Sequence, residues 1–262
     1  VSVKAGTKER VVINPKLKKC GFYYIKVKMS DKDGTVDTLK TRFSVIAKVR
    51  QNPRFGFSVH PITHGVGTQG EITELSVKLG AGVSREDFPW AAFFAADGVT
   101  ISNPKSVAAR KEYNQLLDDN NIESLMILGQ GPSNFGGYTW PPNADEIKNT
   151  NVLTAWKNYC RSLASALGGG SKAVYEVYNE WLVQERKTNA TPEDYAELLK
   201  VSAEGLREGN PDCIIVGLCG ALKKEEAWWD DRVLAALGDN PGQYFDAISI
   251  HPYHVWEDQY PE

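Results

Sequence analysis

Residues 172–181 read Lys-Ala-Val-Tyr-Glu-Val-Tyr-Asn-Glu-Trp. Val174, Tyr175, Val177 and Tyr178 are types that suit a pleated, buried strand. The run then stops on an amide, a carboxylate and an indole: Asn179, Glu180 and Trp181. Where a parallel strand ends at the C-terminal mouth of an α/β barrel, such side chains face an active site. A partly desolvated carboxyl group there keeps its proton to higher pH and can serve as a general acid. Taken alone, the Asn-Glu pair reads equally well as the cap of the next loop, so the other polar residues decide.

Several of these stand at comparable places. His60 ends the apolar run 55–60, with His64 four residues on; it is either a hydroxyl-binding side chain or an incidental loop residue. Arg85 lies within Gly-Val-Ser-Arg-Glu-Asp-Phe-Pro-Trp, 82–90. Its charge is costly to bury alone, so it either pairs with Glu86 or Asp87 or holds a carboxylate of the site ionised. His251 and Tyr253 are two apart and share one face if a strand runs through them, although Pro252 between them also fits a structural turn. Asn134, Phe135, Tyr138 and Trp140 sit on the Gly/Pro-rich stretch 129–143. Aromatics on such a loop bind ligands or fold over the mouth as a lid, and Trp90, Trp181 and Trp256 are open to both readings.

The elements that must position these residues fall into two patterns. Residues 1–49 read as strands, at 11–13, 21–29 and 41–45, with a turn at 31–34 that uses Gly34. Three strands are too few to stand alone, so this part is expected to be the C-terminal part of a β-sandwich, Ig-like domain. From residue 50 onward strands alternate with helices, which predicts a parallel sheet with helical crossovers. The strands are expected at 55–60, 82–90, 122–128, 172–181, 213–218 and 245–250, and the helices at 72–79, 105–120, 152–167, from a Thr191 cap onward, and at 230–237. Thr191, Pro192 and Asp194 form a helix-start signature. This is about six βα units of a TIM (β/α)8 barrel, whose eight units typically take ~250 residues. Residues 50–262 are therefore expected to be the first six units, with the remainder of the barrel supplied by sequence beyond them.

Composition excludes some classes. The net charge of −3 comes without a basic stripe, which argues against nucleic acid as a partner. No apolar run approaches the ~20 residues of a membrane span. Cys20, Cys160, Cys213 and Cys219 form no CxxC pair, and with four histidines there is no zinc-like spacing; all four cysteines read as unpaired and buried, and no metal or cofactor is called for. Seven Trp and eleven Tyr suit stacking on flat ligand faces. One competing motif is Gly65-Val-Gly67-Thr-Gln-Gly70, a literal G-x-G-x-x-G with Glu86 and Asp87 about 20 residues on, as in a dinucleotide-binding oxidoreductase. Residues 60–64 separate it from its strand, however, whereas that fingerprint begins on the strand itself.

With these segments in view, the chain resembles the clan A retaining glycoside hydrolases, closest in flavour to family 39 and next to family 5. Tyr-Glu-Val-Tyr-Asn-Glu-Trp, 175–181, is similar to the W-E-V-W-N-E-P type segment that ends the clan's fourth strand. Residues 80–90 are similar to its second-strand segment with Arg85, 128–142 to its third loop, and Ile-Ser-Ile-His-Pro-Tyr, 248–253, to its sixth-strand H-x-Y. The resemblance implies a β-linked oligosaccharide or polysaccharide substrate hydrolysed with retention, Glu180 as acid/base, Asn179 on the substrate 2-hydroxyl, and Arg85, His251 and Tyr253 around the nucleophile. With these go His60, Trp140 and Trp181 as further substrate-binding candidates. Trp181 stands where the clan has proline. The clan's nucleophile is a glutamate ending the seventh strand; Glu257 and Glu262 follow the sixth strand too closely, so none is named. The class implies a secreted or periplasmic protein. A non-catalytic carbohydrate-binding barrel is the alternative.

Overall fold

The computed structural model describes residues 2–4, 6–8, 10, 12–62, 65, 67–132, 150–167, 173–182, 191–218 and 227–251. The chain divides into two compact units, Val1–Arg50 and Gln51–Glu262.

The first unit is built on one antiparallel hairpin, β1 (Gly21–Asp31) and β2 (Gly34–Val45), in register from Gly21 opposite Val45 to Asp31 opposite Gly34. Its turn follows from side-chain chemistry. The Asp31 carboxylate accepts from the Asp33 and Gly34 amides at 2.8 and 3.1 Å, and Gly34 takes a φ of 134°, which a side chain would resist. The expected strand 41–45 is thus only the end of a 12-residue strand. The expected strand at 11–13 is not formed at Val12 and Ile13, which are exposed and irregular. Pro15, with no N–H, and the charges of Lys16, Lys18 and Lys19 follow at once, so the apolar run is too short to pair. The described part of this unit is a two-stranded ribbon rather than three strands of a sandwich.

The second unit holds the six parallel strands that the alternation predicts, in the order β3-β4-β5-β6-β7-β8. They are β3 (Asn52–Ser58), β4 (Ala81–Pro89), β5 (Glu123–Gly129), β6 (Val174–Val177), β7 (Ile214–Gly217) and β8 (Ala247–Ile248). Between them come α1 (Gln69–Leu79), α2 (Trp90–Phe93), α3 (Pro104–Asp119), α4 (Thr150–Leu167), α5 (Pro192–Gly209) and α6 (Ala227–Leu237), with a 3-10 turn at Pro241–Gln243 before β8. This is the curled sheet of a partial (β/α)8 barrel. The helix starts follow their local signals. Thr68 and Glu71 make a reciprocal capping box at α1, Thr191 and Asp194 another at α5, and Asn103 caps α3. Strand ends differ from expectation: β3 begins at Asn52 and stops at Ser58, Trp90 opens α2, β6 stops at Val177, and β8 is two residues long.

The core lies between the sheet and the helices, and aromatic rings dominate it. Trp90 stacks on Tyr159 with ring centres 5.5 Å apart, and Trp181, Tyr195 and Trp229 follow one another at 5.3 and 5.2 Å. Such pairs add to the gain from burial alone. Cys160 and Cys213 are buried and unpaired, but Cys20 is exposed, because its short segment packs on nothing. Cys219 lies outside the described residues.

Helices α4 and α5 pack at close range. A Cβ at Gly205 would stand 2.4 Å from the Lys157 carbonyl oxygen and 3.0 Å from the Cys160 Cβ, and one at Gly209 2.4 Å from the Arg161 carbonyl oxygen. Alanine is the better helix former by about 1 kcal/mol, but here it meets backbone that cannot turn aside. Overpacking of about 1–3 kcal/mol therefore wins, and Gly205→Ala should lower the thermal midpoint. A raised midpoint in a melting experiment would show that the two helices separate freely.

Candidate active site

Strand β4 sorts its side chains by alternation. Ser84, Glu86 and Phe88 are buried toward the helices; Val83, Arg85 and Asp87 are half-buried on the concave face. On the helix side, Ser84 meets the Tyr113 hydroxyl of α3 at 3.2 Å. There the Glu86 carboxylate accepts from Arg110 Nη1 and the Ile62 amide, both at 2.8 Å. Arg110 is fully buried and also donates to the Asp87 carbonyl at 2.9 Å. Glu86 is thus a structural residue tying β4 to α3.

On the concave side Arg85 does not pair with its sequence neighbours. Its Nε donates to Glu176 Oε2 at 2.6 Å and its Nη2 to Glu176 Oε1 at 2.9 Å, a two-pronged ion pair across β5 to β6. The same Nη2 donates to Asn179 Oδ1 at 2.8 Å. Glu176 is 1 % exposed, and motif reading passes over it, as it does over Ser249. The available signal was a charge at the centre of the run Val-Tyr-Glu-Val, where burial demands a partner. Burial alone would raise the Glu176 pKa, but hydrogen bonds from His251, Arg85 and Ser249 outweigh it and hold the group at about 2.

Above Glu176 the chain leaves strand geometry. Tyr178 and Glu180 adopt φ of 71° and 55°, the left-handed region that bulky residues avoid. Gln130 after β5 (φ 47°) and Leu218 after β7 (φ 58°) do the same. Strain of this kind, about 1–3 kcal/mol per residue, gathers at functional sites. It is supported from behind: the Tyr195 hydroxyl donates to the Val177 carbonyl at 3.0 Å and the Tyr178 amide to the Leu128 carbonyl at 3.1 Å. Trp181, expected to face a ligand, is instead 0 % exposed and packs between Tyr178 and Tyr195. The reversal at Glu180 turns the chain so that the next side chain goes into the core.

Glu180 meets His251 from beyond β8, with Oε1 2.9 Å from the imidazole Nδ1. The other nitrogen, Nε2, lies 3.2 Å from Ser249 Oγ and 3.5 Å from Glu176 Oε1. Asp87 Oδ2 is 3.3 Å from His60 Nδ1, and both side chains are partly exposed. A cavity of about 180 Å³ opens beside them, lined by Asp87, Pro89, Ile127, Leu128, Gly129, Gln130, Tyr178 and Asn179. The structure thus joins Arg85, Asn179, Glu180 and His251 in one network, sets His60 against Asp87, and removes Trp181 to the core. Trp90 is likewise core, its indole N–H donating to the Ala95 carbonyl at 2.8 Å. Trp140, Tyr253, His64 and Trp256 lie outside the described residues. Among the described residues no His, Cys, Asp and Glu cluster suits a metal ion.

The glycine motif at 65–70 is differently placed. Its last glycine is inside α1, and the first amides of that helix are taken: Glu71 Oε2 accepts from the Thr68 amide at 2.9 Å, and Thr68 Oγ1 from the Glu71 amide at 3.2 Å. A carboxylate therefore stands where a pyrophosphate would need to bind.

The fold has known counterparts. It is similar to a family 39 glycoside hydrolase from the gut symbiont Bacteroides cellulosilyticus WH2, with a TM-score of 0.68 and 20 % identity over 91 % of this chain and 46 % of that one. The fold is that of the glycoside hydrolase barrels. The endoglucanase Cel5A from the hyperthermophilic Thermotoga maritima matches with a TM-score of 0.50 and 14 % identity over 74 % of this chain and 59 % of that one. Fpglu1 from Fervidobacterium pennivoraus matches with a TM-score of 0.50 and 13 % identity over 70 % and 49 %. The chain spans about half the length of these structures. No protein-family model and no curated protein matches the sequence.

The buried pair of this partial barrel lends itself to two measurements. Arg85→Met leaves the Glu176 charge buried with its main partner gone and should lower unfolding free energy by about 3–5 kcal/mol in urea titrations; a loss below 1 kcal/mol would mean that solvent reaches the carboxylate. The depressed Glu176 pKa also fixes a pH window. Its stabilisation is complete above the ordinary value of 4.5 and is lost as pH falls toward about 2, a decline of about 3 kcal/mol. Urea midpoints that stay flat across that window in wild-type protein, or that fall equally in Glu176→Gln, would contradict this.

Proposed function

We propose that this protein is a retaining glycosidase acting on β-linked glycans, with Glu180 as the general acid/base. The observation that supports it is the Glu180 carboxylate at the C-terminal end of β6, partly exposed and hydrogen-bonded to His251 at 2.9 Å. A carboxyl group so held protonates the departing glycosidic oxygen in the first step. It then takes a proton from water as the glycosyl-enzyme intermediate is hydrolysed. Retention needs a second carboxylate ~5–5.5 Å away as nucleophile. Glu176 is unsuited to that role, since both its oxygens are already engaged beneath the site by Arg85 and Ser249.

In this reading Asn179 receives the substrate 2-hydroxyl. Its Oδ1 is occupied by Arg85, which leaves the amide NH2 to donate to the sugar. His60 with Asp87, and Trp140 and Tyr253, contribute the remaining sugar contacts. Arg85 holds Glu176 charged and stands by the nucleophile. A glycan substrate fits a secreted or periplasmic protein, and no helix among the described residues is long and apolar enough to cross a membrane.

Glu180→Gln on the full-length protein tests the assignment. General acid catalysis is worth about 10²–10⁴-fold, so turnover of an unactivated β-glycan should fall by that much. An aryl glycoside with a good leaving group needs little protonation, so its first step should survive and a burst of released phenol should appear. Unchanged turnover of the natural glycan would refute the role.

A further inference from the structure

Glu180, His251 and Glu176 form a continuous string, and its lower end is fixed. Arg85 grips Glu176 with two hydrogen bonds of 2.6 and 2.9 Å, so Glu176 is a permanent carboxylate at any working pH. The imidazole of His251 stands between two carboxylates. Nδ1 is 2.9 Å from Glu180 Oε1, and Nε2 is 3.5 Å from Glu176 Oε1 and 3.2 Å from Ser249 Oγ. Ser249 Oγ spends its one proton on Glu176 Oε1 at 2.9 Å, so toward His251 it can only accept. A neutral imidazole has one N–H and one lone pair and would have to aim that lone pair at an acceptor on one side or the other. With no proton on Glu180 Oε1, only the doubly protonated ring satisfies both.

We propose that Glu176 is a positioning residue: acting with Ser249, it keeps His251 protonated on both nitrogens, so that Nδ1 is always a donor to Glu180 Oε1 and the transferable proton of Glu180 is confined to Oε2. This rests on the reading of Glu180 as the acid/base. An acid whose proton can sit on either oxygen, or turn inward to a histidine lone pair, delivers it to the substrate only part of the time. With Oε1 reserved as an acceptor the proton stays on the outer oxygen. The orienting partner of a ring nitrogen decides what the other nitrogen does, and here that partner is a carboxylate on the same strand as the acid. Among the described residues, the charged groups facing the ring are Glu176 and Glu180 from β6 and its turn, and Arg85 from β4. The His251 pKa is raised, first by the Glu176 hydrogen bond, against burial, with Glu180 adding to the rise and Arg85 opposing it.

Nitrogen NMR of the histidine side chains tests this without reference to catalysis, the His251 signals being assigned by their loss in His251→Asn. In wild-type protein both His251 nitrogens should remain protonated at pH 7, above the ordinary histidine value of ~6.5. A neutral His251 ring at pH 7 would overturn the proposal whether or not any variant folds. In Glu176→Gln the titration should move down by roughly one unit or more, and an unmoved titration would equally overturn it. In kinetics, Glu176→Gln should lower kcat on an unactivated glycan about tenfold or more with KM little changed and the basic limb of the pH profile shifted down, and Glu176→Asp should restore part of both. A protein whose His251 behaves as expected but which hydrolyses no glycan would leave the string intact and reject the glycosidase reading instead.

Discussion

The Arg85–Glu176 ion pair is the contact on which the rest of the site depends. A carboxylate that is 1 % exposed is tolerated only when its oxygens are taken up by donors of good geometry, because the desolvation of both ions must be offset. Arg85 supplies a planar fork matched to the carboxylate, and Ser249 a third hydrogen bond at 2.9 Å. The pair ties β4 to β6 over the intervening β5, and through Ser249 and His251 it reaches β8. Asn179 attaches to it directly, and Glu180 through His251.

The opposite face of β4 shows the same physics used differently. Glu86 and Arg110 are also a buried pair, at 2.8 Å, yet they join strand to helix. Alternation along a single strand thus separates an ion pair on the helix side from one on the concave side by one residue. Behind the sheet, the aromatic layer from Trp90 to Trp229 provides the rigidity that left-handed residues at the strand ends require. The Tyr195 and Tyr159 hydroxyls extend that layer into the sheet by donating to the Val177 and Phe88 carbonyls at 3.0 and 2.6 Å.

Much of the second unit was legible in the sequence because its signals are local. Capping residues at Thr191, Pro192 and Asp194 set a helix start, and apolar runs of regular spacing set six parallel strands. Asn179, Glu180 and His251 were recognisable as polar residues at strand ends, and Arg85 as a charge within a strand. What escaped reading was non-local. Arg85 was open to two readings, a pair with its neighbours Glu86 or Asp87 or a hold on a carboxylate of the site; Glu86 lies on the other face of the strand, and the carboxylate that Arg85 grips is 91 residues away. Trp181 reads as a binding candidate for its place beside Glu180 in the motif, but the backbone changes hand there and the indole goes into the core. The short run at Val12 and Ile13 looked like a strand because β-propensity ignores whether a neighbour exists to pair with.

The two left-handed residues around Asn179 bear on more than local strain. In a regular strand, consecutive side chains leave on opposite faces, so Asn179 and Glu180 could not both serve the same cleft. Yet Asn179 reaches Arg85 and Glu180 reaches His251, on one side of the sheet. The reversals at Tyr178 and Glu180 break the two-residue rhythm just where two adjacent side chains must work together. The spacing of the amide and the carboxylate is therefore written into main-chain handedness, and a change of side chain at either position keeps the frame that presents its neighbour.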